Sequence, residues 1–199
     1  DSRIRVIAWP ERIGKSAHLN WFFAHAIGDI LVFFDADVML DTPLTIAALI
    51  QPMLVNKQVG LVGGNAQQTP GRTFVENAIN LSCRVFDQVR VHHHGGNNAF
   101  GANGCIMALS PAFARAVHIP HDTIANDQYL YFACRKLGYQ FIHARDAIAW
   151  YRSPSTVSDH LRQNKRFVAA HHRMERLFGV EMVRAEYAVD QRWLRQLKL

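Results

Sequence analysis

The sequence predicts an α/β fold in which a mostly parallel sheet is flanked by helices and followed by a helical C-terminal segment. Short apolar runs alternate along the chain with amphipathic stretches of helical period, the pattern of strand–helix units. The run from Ile30 to Phe34 follows Gly28-Asp29 and is apolar throughout, as expected of a strand buried in a parallel sheet. No repeat or low-complexity linker interrupts the alternation.

The composition is that of a globular protein. The chain has 199 residues, of which 49% are hydrophobic and 19% charged. No apolar run approaches the ~20 residues that cross a bilayer, so no transmembrane helix is predicted. Three widely spaced cysteines indicate free thiols rather than disulfides or a zinc site. The net charge is +6, and residues 157–199 supply +4 of it, with nine Lys and Arg against five Asp and Glu. Nucleic acid, a membrane surface or a phosphorylated substrate would each explain this basic segment.

The helices and strands of the first half are predicted from the spacing of apolar residues and from the glycines and prolines that begin or end helices. We expect a helix that Gly14-Lys15-Ser16 opens and Gly28 stops, and a second helix that Pro43 begins. Strands are expected at 3–9, 30–34 and 59–63, a helix at 74–89 and a loop at 92–98.

The second half continues the alternation. Strands are expected at 102–109, 139–143 and 147–151, a short helix from Pro111, and a helix at 123–137 stopped by Gly138. A long helix at 156–178 has Thr156 as N-cap, with Asp159 placed as in a capping box. A last helical segment is expected at 182–198.

Two carboxylates, Asp35 and Asp37, stand at the carboxyl end of the 30–34 strand with Ala36 between them. Open α/β sheets bind ligands at this edge, and hard oxygen ligands suit Mg²⁺ or Mn²⁺ holding a phosphate. A D-x-D motif alone is more often an acidic turn than a metal site, so the choice between the two depends on the other motifs of the chain.

Two alternative interpretations fit less of the chain. A P-loop needs a glycine five residues before Gly14, where Trp9 stands. A phosphatase with Asp35 as nucleophile expects Thr or Val in place of Met39 and a later pair of adjacent acidic residues, which the chain lacks.

A third interpretation covers the chain to Phe167. Gly14-Lys15-Ser16, Asn20 and Gly28-Asp29-Ile30, leading into Asp35-Ala36-Asp37, closely resemble family 2 glycosyltransferases of the GT-A fold. Two further motifs of that family follow in order: Asn126-Asp127-Gln128 at a helix start, and Gln163-Asn164-Lys165-Arg166-Phe167 within a helix, similar to Q-x-x-R-W. Asn126 replaces the usual Glu and Phe167 the usual Trp. The resemblance implies that the family's first strand, helix and strand lie before Asp1. Residues 1–155 are then a GT-A-like core without that start, and 156–199 are its C-terminal helices.

The resemblance also implies a chemistry. It is an inverting transfer of a hexose or N-acetylhexosamine from a nucleotide-diphosphate sugar, most simply a UDP-sugar, to a glycan or lipid-linked acceptor. Mg²⁺ or Mn²⁺ would be held by Asp37 and Asp35, and Asp127 would be the general base, ionised because a helix N-terminus favours its charge. The implied donor or diphosphate contacts are Lys15, Asp35, Arg152, Gln163 and Arg166, and the implied acceptor contacts are Gly101, Asn103 and Phe167.

The remaining expectations concern location and competing function classes. His92-His93-His94 is expected to be a loop rather than a metal site, because adjacent histidines point in different directions. A Q-x-x-R-W-like helix followed by basic segments predicts work at the cytoplasmic face of a membrane in the full-length protein, without a nucleic-acid partner. The competing hypothesis is a non-catalytic GT-A-like domain that binds a membrane or a partner through its basic tail.

Overall fold

The computed structural model describes residues 3–189, in which helices and strands alternate as predicted. The helices are α1 (Lys15–His25), α2 (Thr45–Val55), α3 (Phe74–His92), α4 (Pro111–Ala116), α5 (Asn126–Lys136), α6 (Val157–Phe178) and α7 (Val180–Tyr187). The strands are β1 (Leu31–Phe34), β2 (Met39–Leu40), β3 (Val59–Gln68), β4 (Ile106–Leu109) and β5 (Gln140–Tyr151). Two 3-10 turns, His93–Gly96 and Ala99–Gly101, connect α3 to the approach to β4.

The five strands form one sheet in the order β1-β4-β3-β5-β2. The β3–β5 pair is parallel, whereas β1–β4, β3–β4 and β2–β5 are antiparallel. The predicted α/β class is therefore right, but the prediction of a mostly parallel sheet is wrong. An apolar run reports burial and not strand direction, and direction is set by the connections, which bring β4 back against both β1 and β3.

The strand before the two carboxylates is also less buried than predicted. It lies at the edge of the sheet with β4 as its paired neighbour, and Leu31, Val32 and Phe33 are only partly buried. Phe34, the last residue of β1, is 52% exposed. The strands β3 and β4, next to it in the sheet, carry the fully buried positions instead.

Alternate residues of the central strands supply two hydrophobic clusters, one on each face of the sheet. Leu61, Met107 and Phe141 face a large cluster that includes residues of α1, α4, α5, α6 and α7. Val62 and Ile106 face a smaller cluster completed by α2. The C-terminal helices therefore share the core of the strands and α5, through Met174 of α6 and Val183 of α7 among others.

Several predicted boundaries need correction. Residues 3–9 form no strand, and the two strands predicted at 139–151 are one strand, β5. Its pairing with β3 steps from Gly64↔Ala144 to Asn65↔Ile148, so residues 145–147 bulge out and mimic a break between strands. The α5 helix begins at Asn126 rather than at 123. The predicted 182–198 helix corresponds to α7 up to Tyr187, and residues 190–198 lie outside the described part.

The N-cap of α6 is the residue that the sequence predicts. The Thr156 hydroxyl accepts a hydrogen bond from the Asp159 backbone N–H at 3.1 Å, which confirms Thr156 as the N-cap of α6. Among residues 3–189, no helix combines the length and the apolar character that crossing a bilayer requires.

Candidate active site

The carboxylates of the D-x-D motif are positioned by the pairing of β1 with β4. The Asp35 backbone N–H donates to the Cys105 carbonyl at 3.0 Å, one residue beyond the last paired position of β1. The chain then turns, with a 3.4 Å hydrogen bond from the Val38 N–H to the Asp35 carbonyl, and this turn presents Asp37 to solvent. The motif therefore lies where β1 ends, beside the residues that lead into β4.

Lys15 reaches this edge from the start of α1. Gly14 precedes it with a φ of +83°, a backbone conformation that favours glycine, and so allows the chain to turn into the helix. The Lys15 Nζ donates to Asp35 Oδ1 at 2.6 Å, and both side chains are partly exposed. The sequence predicted a diphosphate contact for Lys15; in the structure its ammonium group is paired with a D-x-D carboxylate.

Asp127 lies in the first turn of α5 and accepts two backbone hydrogen bonds. The Gly104 N–H donates to its Oδ2 at 3.1 Å and the Gln128 N–H to its Oδ1 at 2.8 Å. Burial nevertheless raises the pKa of Asp127 above its ordinary value, against the lowering effects of these donors and of Lys15. Desolvation of the carboxylate therefore has a larger effect on this pKa than the two backbone donors and Lys15. That Asp127 is ionised at neutral pH stays a prediction.

Cys105 reports how close these groups are to one another. Burial, with the charges of Asp35, Asp127 and Asp37, raises the pKa of its thiol to about 12, and Lys15 opposes this shift. The thiol therefore stays protonated at neutral pH. The structure thus brings three carboxylates and one ammonium group around Cys105. Of these groups, Lys15, Asp35 and Asp127 are separated from one another by between 20 and about 110 positions in the sequence.

A buried hydrogen bond holds the two helices of the site together. The Ser16 hydroxyl donates to Asn126 Oδ1 at 3.1 Å, and both side chains are buried. Because Ser16 follows Lys15 and Asn126 precedes Asp127, this bond fixes the start of α1 against the start of α5. The asparagine that departs from the family pattern has this partner, which the sequence alone did not indicate.

The small residues before β4 have separate roles. A Cβ on Gly101 would lie 2.7 Å from the Gly96 carbonyl oxygen, so close backbone packing requires glycine there. Asn103 Oδ1 accepts from the Cys105 N–H at 2.9 Å. A Cβ on Gly104 would lie 3.4 Å from Asp127 Oδ2, an ordinary contact, so the backbone at Gly104 lies beside this carboxylate without requiring glycine.

Arg152 has a partner away from the carboxylates. Its Nε donates at 2.6 Å to Glu76, a buried carboxylate in the first turn of α3 that also accepts from the Arg72 and Thr73 N–H groups. The hydrogen bond from Arg152 is the largest influence on the pKa of Glu76, which lies below its ordinary value despite burial. About half of the Arg152 side chain remains exposed.

The predicted motif of α6 is solvent-facing. The second half of the helix enters the core through Ala170 and Met174, whereas the first half is largely exposed. Gln163 is partly buried, and Arg166 and Phe167 are exposed. Within residues 3–189 none of these three side chains forms a hydrogen bond or ion pair, so the structure does not join them to the carboxylate site.

The histidine segment ends α3 and forms the 3-10 turn that follows it. His92 ends α3, and His93 and His94 stack with ring centroids 4.0 Å apart in a 3-10 turn. His93 Nε2 bonds the Glu186 carbonyl oxygen at 3.0 Å. Across the described residues, no group of three or more His, Cys, Asp or Glu side chains is placed to hold a metal ion.

Comparison with known proteins gives the family. The sequence model described as Glycosyl transferase family 2 matches residues 1–115, more than half of the chain. The chain belongs to glycosyl transferase family 2. Among curated protein sequences, none matches it.

Solved structures agree with this family 2 assignment at the level of the fold. A mannosyltransferase from Pyrobaculum calidifontis, in complex with GDP-Man and Mn²⁺, has a TM-score of 0.64 at 20% identity over 85% of this chain and 46% of that chain. A glucosyl-3-phosphoglycerate synthase from Mycobacterium tuberculosis, in complex with Mn²⁺, UDP and phosphoglyceric acid, has a TM-score of 0.50 at 17% identity over 85% and 55%. The family 2 chain therefore spans about half the length of these structures, and its predicted GT-A-like fold is confirmed.

Proposed function

We propose that this chain carries the donor-phosphate and base side of the active site of an inverting glycosyltransferase. The enzyme moves a hexose or N-acetylhexosamine from a nucleotide-diphosphate sugar to a glycan or lipid-linked acceptor. The observation that carries the proposal is the convergence of Asp35, Asp37, Asp127 and Lys15 around Cys105. Family membership supports it, as do structurally similar transferases in complex with GDP-Man or UDP.

The donor set fits a divalent cation shared with substrate. Asp35 and Asp37 offer two carboxylates, and Asp35 Oδ1 already accepts a cationic group, Lys15 Nζ, at 2.6 Å. Mg²⁺ and related ions are commonly held by one or two carboxylates together with substrate phosphates and water, so a third protein ligand is unnecessary. The mannosyltransferase and the glucosyl-3-phosphoglycerate synthase structures both contain Mn²⁺, which supports Mg²⁺ or Mn²⁺ here. When bound, such an ion neutralises the charge that develops on the departing diphosphate.

Lys15 and Asp35 act as a pair in this proposal. In the absence of donor, Lys15 satisfies Asp35. When a diphosphate is present, the ammonium group, on a flexible four-carbon stem, turns from the carboxylate to phosphate oxygen. Arg152, held by Glu76, and Gln163 and Arg166 of α6 are proposed as further donor contacts on their residue types and motif positions.

Asp127 is the proposed general base that takes the proton of the attacking acceptor hydroxyl. Its raised pKa suits this task, because the strength of a carboxylate base increases with its pKa. The Gly104 N–H fixes Oδ2, so one oxygen is oriented by the backbone. Gly101, Asn103 and Phe167 are proposed to lie along the acceptor side.

The test separates donor binding from transfer. Nucleotide-sugar binding is measured by calorimetry with and without Mn²⁺, and transfer by release of nucleoside diphosphate in the presence of acceptor. Asp127→Asn is expected to lower the transfer rate by about 10²–10⁴-fold while leaving donor binding near wild type. Asp37→Asn is expected to abolish the metal dependence of binding.

The matched control is Asp29→Asn, at the opposite end of the β1 strand, which should change neither measurement. Transfer that survives in Asp127→Asn would show that another group is the base. Metal-dependent donor binding without any transfer by the unaltered chain would favour the non-catalytic domain over the enzyme. A panel of UDP- and GDP-sugars identifies the donor.

A further inference from the structure

The α3 helix buries polar side chains beside the apolar Ile79 and Val89, and it exposes several large apolar ones. Three polar side chains face the protein: Glu76 bonds Arg152, Asn80 bonds Ser153 and the Thr69 carbonyl, and Arg90 bonds Asn65. These three side chains are buried. A surface helix normally places its apolar stripe against the core and its charges in water.

The outward side of α3 carries an apolar stripe flanked by the exposed polar residues Asn77, Ser82 and Gln88. Phe74, Ala78, Leu81 and Val85 are spaced i, i+4, i+7 and i+11, so they share one face. Phe74 is 87% exposed and Leu81 is 61% exposed, while Ala78 is exposed and Val85 only partly buried. Phe86, elsewhere on the helix, is exposed as well. Clustered exposed apolar side chains of this size mark an interaction surface.

The acidic residues of α3 and its exposed arginine lie on different sides of the helix. Its acidic residues, Glu76 and Asp87, are both paired with arginines on the inner side. The exposed ionic groups of the outer side are Arg84 and, just before the helix, Arg72. Neither guanidinium group forms an ion pair within residues 3–189. The surface therefore combines apolar side chains with unneutralised cations, the combination that binds anionic lipid headgroups and the acyl boundary beneath them.

We propose that the outward face of α3 docks the protein onto an anionic membrane surface. A second copy of the chain fits less well, because a twofold contact through the stripe would bring like-charged arginines together. The inference rests on the proposed function, since a lipid-linked acceptor requires the active site to be held at a bilayer. Docking places Phe74 and Leu81 in the interface and Arg72 and Arg84 among the phosphates.

The test measures vesicle binding without any sugar nucleotide. The chain is sedimented with vesicles of phosphatidylcholine alone and with vesicles that also contain phosphatidylglycerol. We expect binding to the anionic vesicles that weakens with salt. Leu81→Gln should reduce the partition coefficient by about fivefold or more, because it removes an apolar side chain from the interface. Arg84→Glu should reduce binding to anionic vesicles and its salt dependence.

Matched controls are Leu137→Gln, a leucine 48% exposed at the end of α5, and Arg115→Glu on α4, which should bind as wild type. Equal binding by Leu81→Gln and Leu137→Gln would overturn the proposal, as would no binding to either vesicle. A dimer in light scattering that Leu81→Gln dissociates would assign the face to self-association instead. Transfer to a water-soluble acceptor is assayed separately, so loss of docking with intact transfer is distinguishable from failure of the proposed function.

Discussion

The contact between Lys15 and Asp35 predicts that this lysine competes with the divalent cation. Lys15 Nζ lies 2.6 Å from Asp35 Oδ1, so its positive charge opposes the approach of a second cation to that carboxylate. Replacing Lys15 with glutamine removes the competing ammonium group and keeps a polar side chain of similar length. In the absence of nucleotide, Mn²⁺ should therefore bind more tightly to Lys15→Gln than to the unaltered chain.

The size of the effect follows from two contributions. The ion pair is partly exposed, and pairs of that kind contribute about 0–1 kcal/mol. Repulsion between the ammonium group and a divalent cation at roughly 5 Å is on the order of 1 kcal/mol in a high-dielectric site. Together these give about 1–2 kcal/mol, a gain in Mn²⁺ affinity of roughly 5- to 30-fold at low salt.

The assay is electron paramagnetic resonance of free Mn²⁺ during titration, first without nucleotide and then with nucleoside diphosphate. With the diphosphate present the effect should reverse, since Lys15 then contributes a phosphate contact. Lys57→Gln, an exposed lysine before β3, is the matched control and should change neither titration. Weaker Mn²⁺ binding by Lys15→Gln without nucleotide would refute the competition, because it would make Lys15 an aid to the metal site.

Three further predictions concern Asp127, Glu76 and Gly101. Because burial raises the pKa of Asp127, kcat/KM should rise with pH through an apparent pKa above that of an ordinary aspartate, and Asp127→Asn should unfold at an equal or higher temperature at neutral pH; a flat pH profile would contradict the assignment. Glu76 has a lowered pKa, held chiefly by Arg152, so its stabilising effect is complete above about pH 4.5 and is lost as the pH falls through its folded pKa. Glu76→Gln should flatten this acid limb in melts followed by circular dichroism, and an unchanged limb would exclude Glu76 as its source. Gly101→Ala should destabilise by about 1–3 kcal/mol in urea titrations because its Cβ meets a carbonyl oxygen at 2.7 Å, whereas Gly104→Ala, with its nearest contact at 3.4 Å, should cost less.

Most helices and strands were predictable from the sequence, although residues 3–9 form no strand and β2 was missed, but strand direction was not predictable. The 30–34 run, the glycine stops and the Thr156 cap each depend on neighbouring residues, and each lies within a residue or two of the structure. The antiparallel return of β4 depends on how the chain between α3 and Ile106 folds back, including a non-glycine residue with φ of +48° at His94. No local sequence pattern specifies that path, and the same apolar residues suit a parallel or an antiparallel strand.

The residues of the candidate site also fall into two groups, those that sequence motifs indicate and those that only the fold brings together. Asp35, Asp37 and Asp127 were predicted because motif spacing marks them, and the structure brings them together around one thiol. Cys105, Gly104 and the Ser16–Asn126 bond were missed because each acquires its role only when β1 is paired with β4 and α1 meets α5. The motif of α6 stays a prediction, since Gln163, Arg166 and Phe167 have exposed or partly exposed side chains away from the carboxylates.

The pKa of Asp127 shows why position in a helix does not fix the chemistry of a carboxylate. The first turn of α5 favours its charged form, and two N–H groups donate to it, yet burial has the larger effect. The Gly104 N–H donates to this partly buried carboxylate, and the Ser16–Asn126 bond holds the start of α1 against the start of α5. The surroundings of Asp127 therefore come from three segments distant in sequence, and substitution of Ser16 should change the pH dependence of Asp127 without touching it.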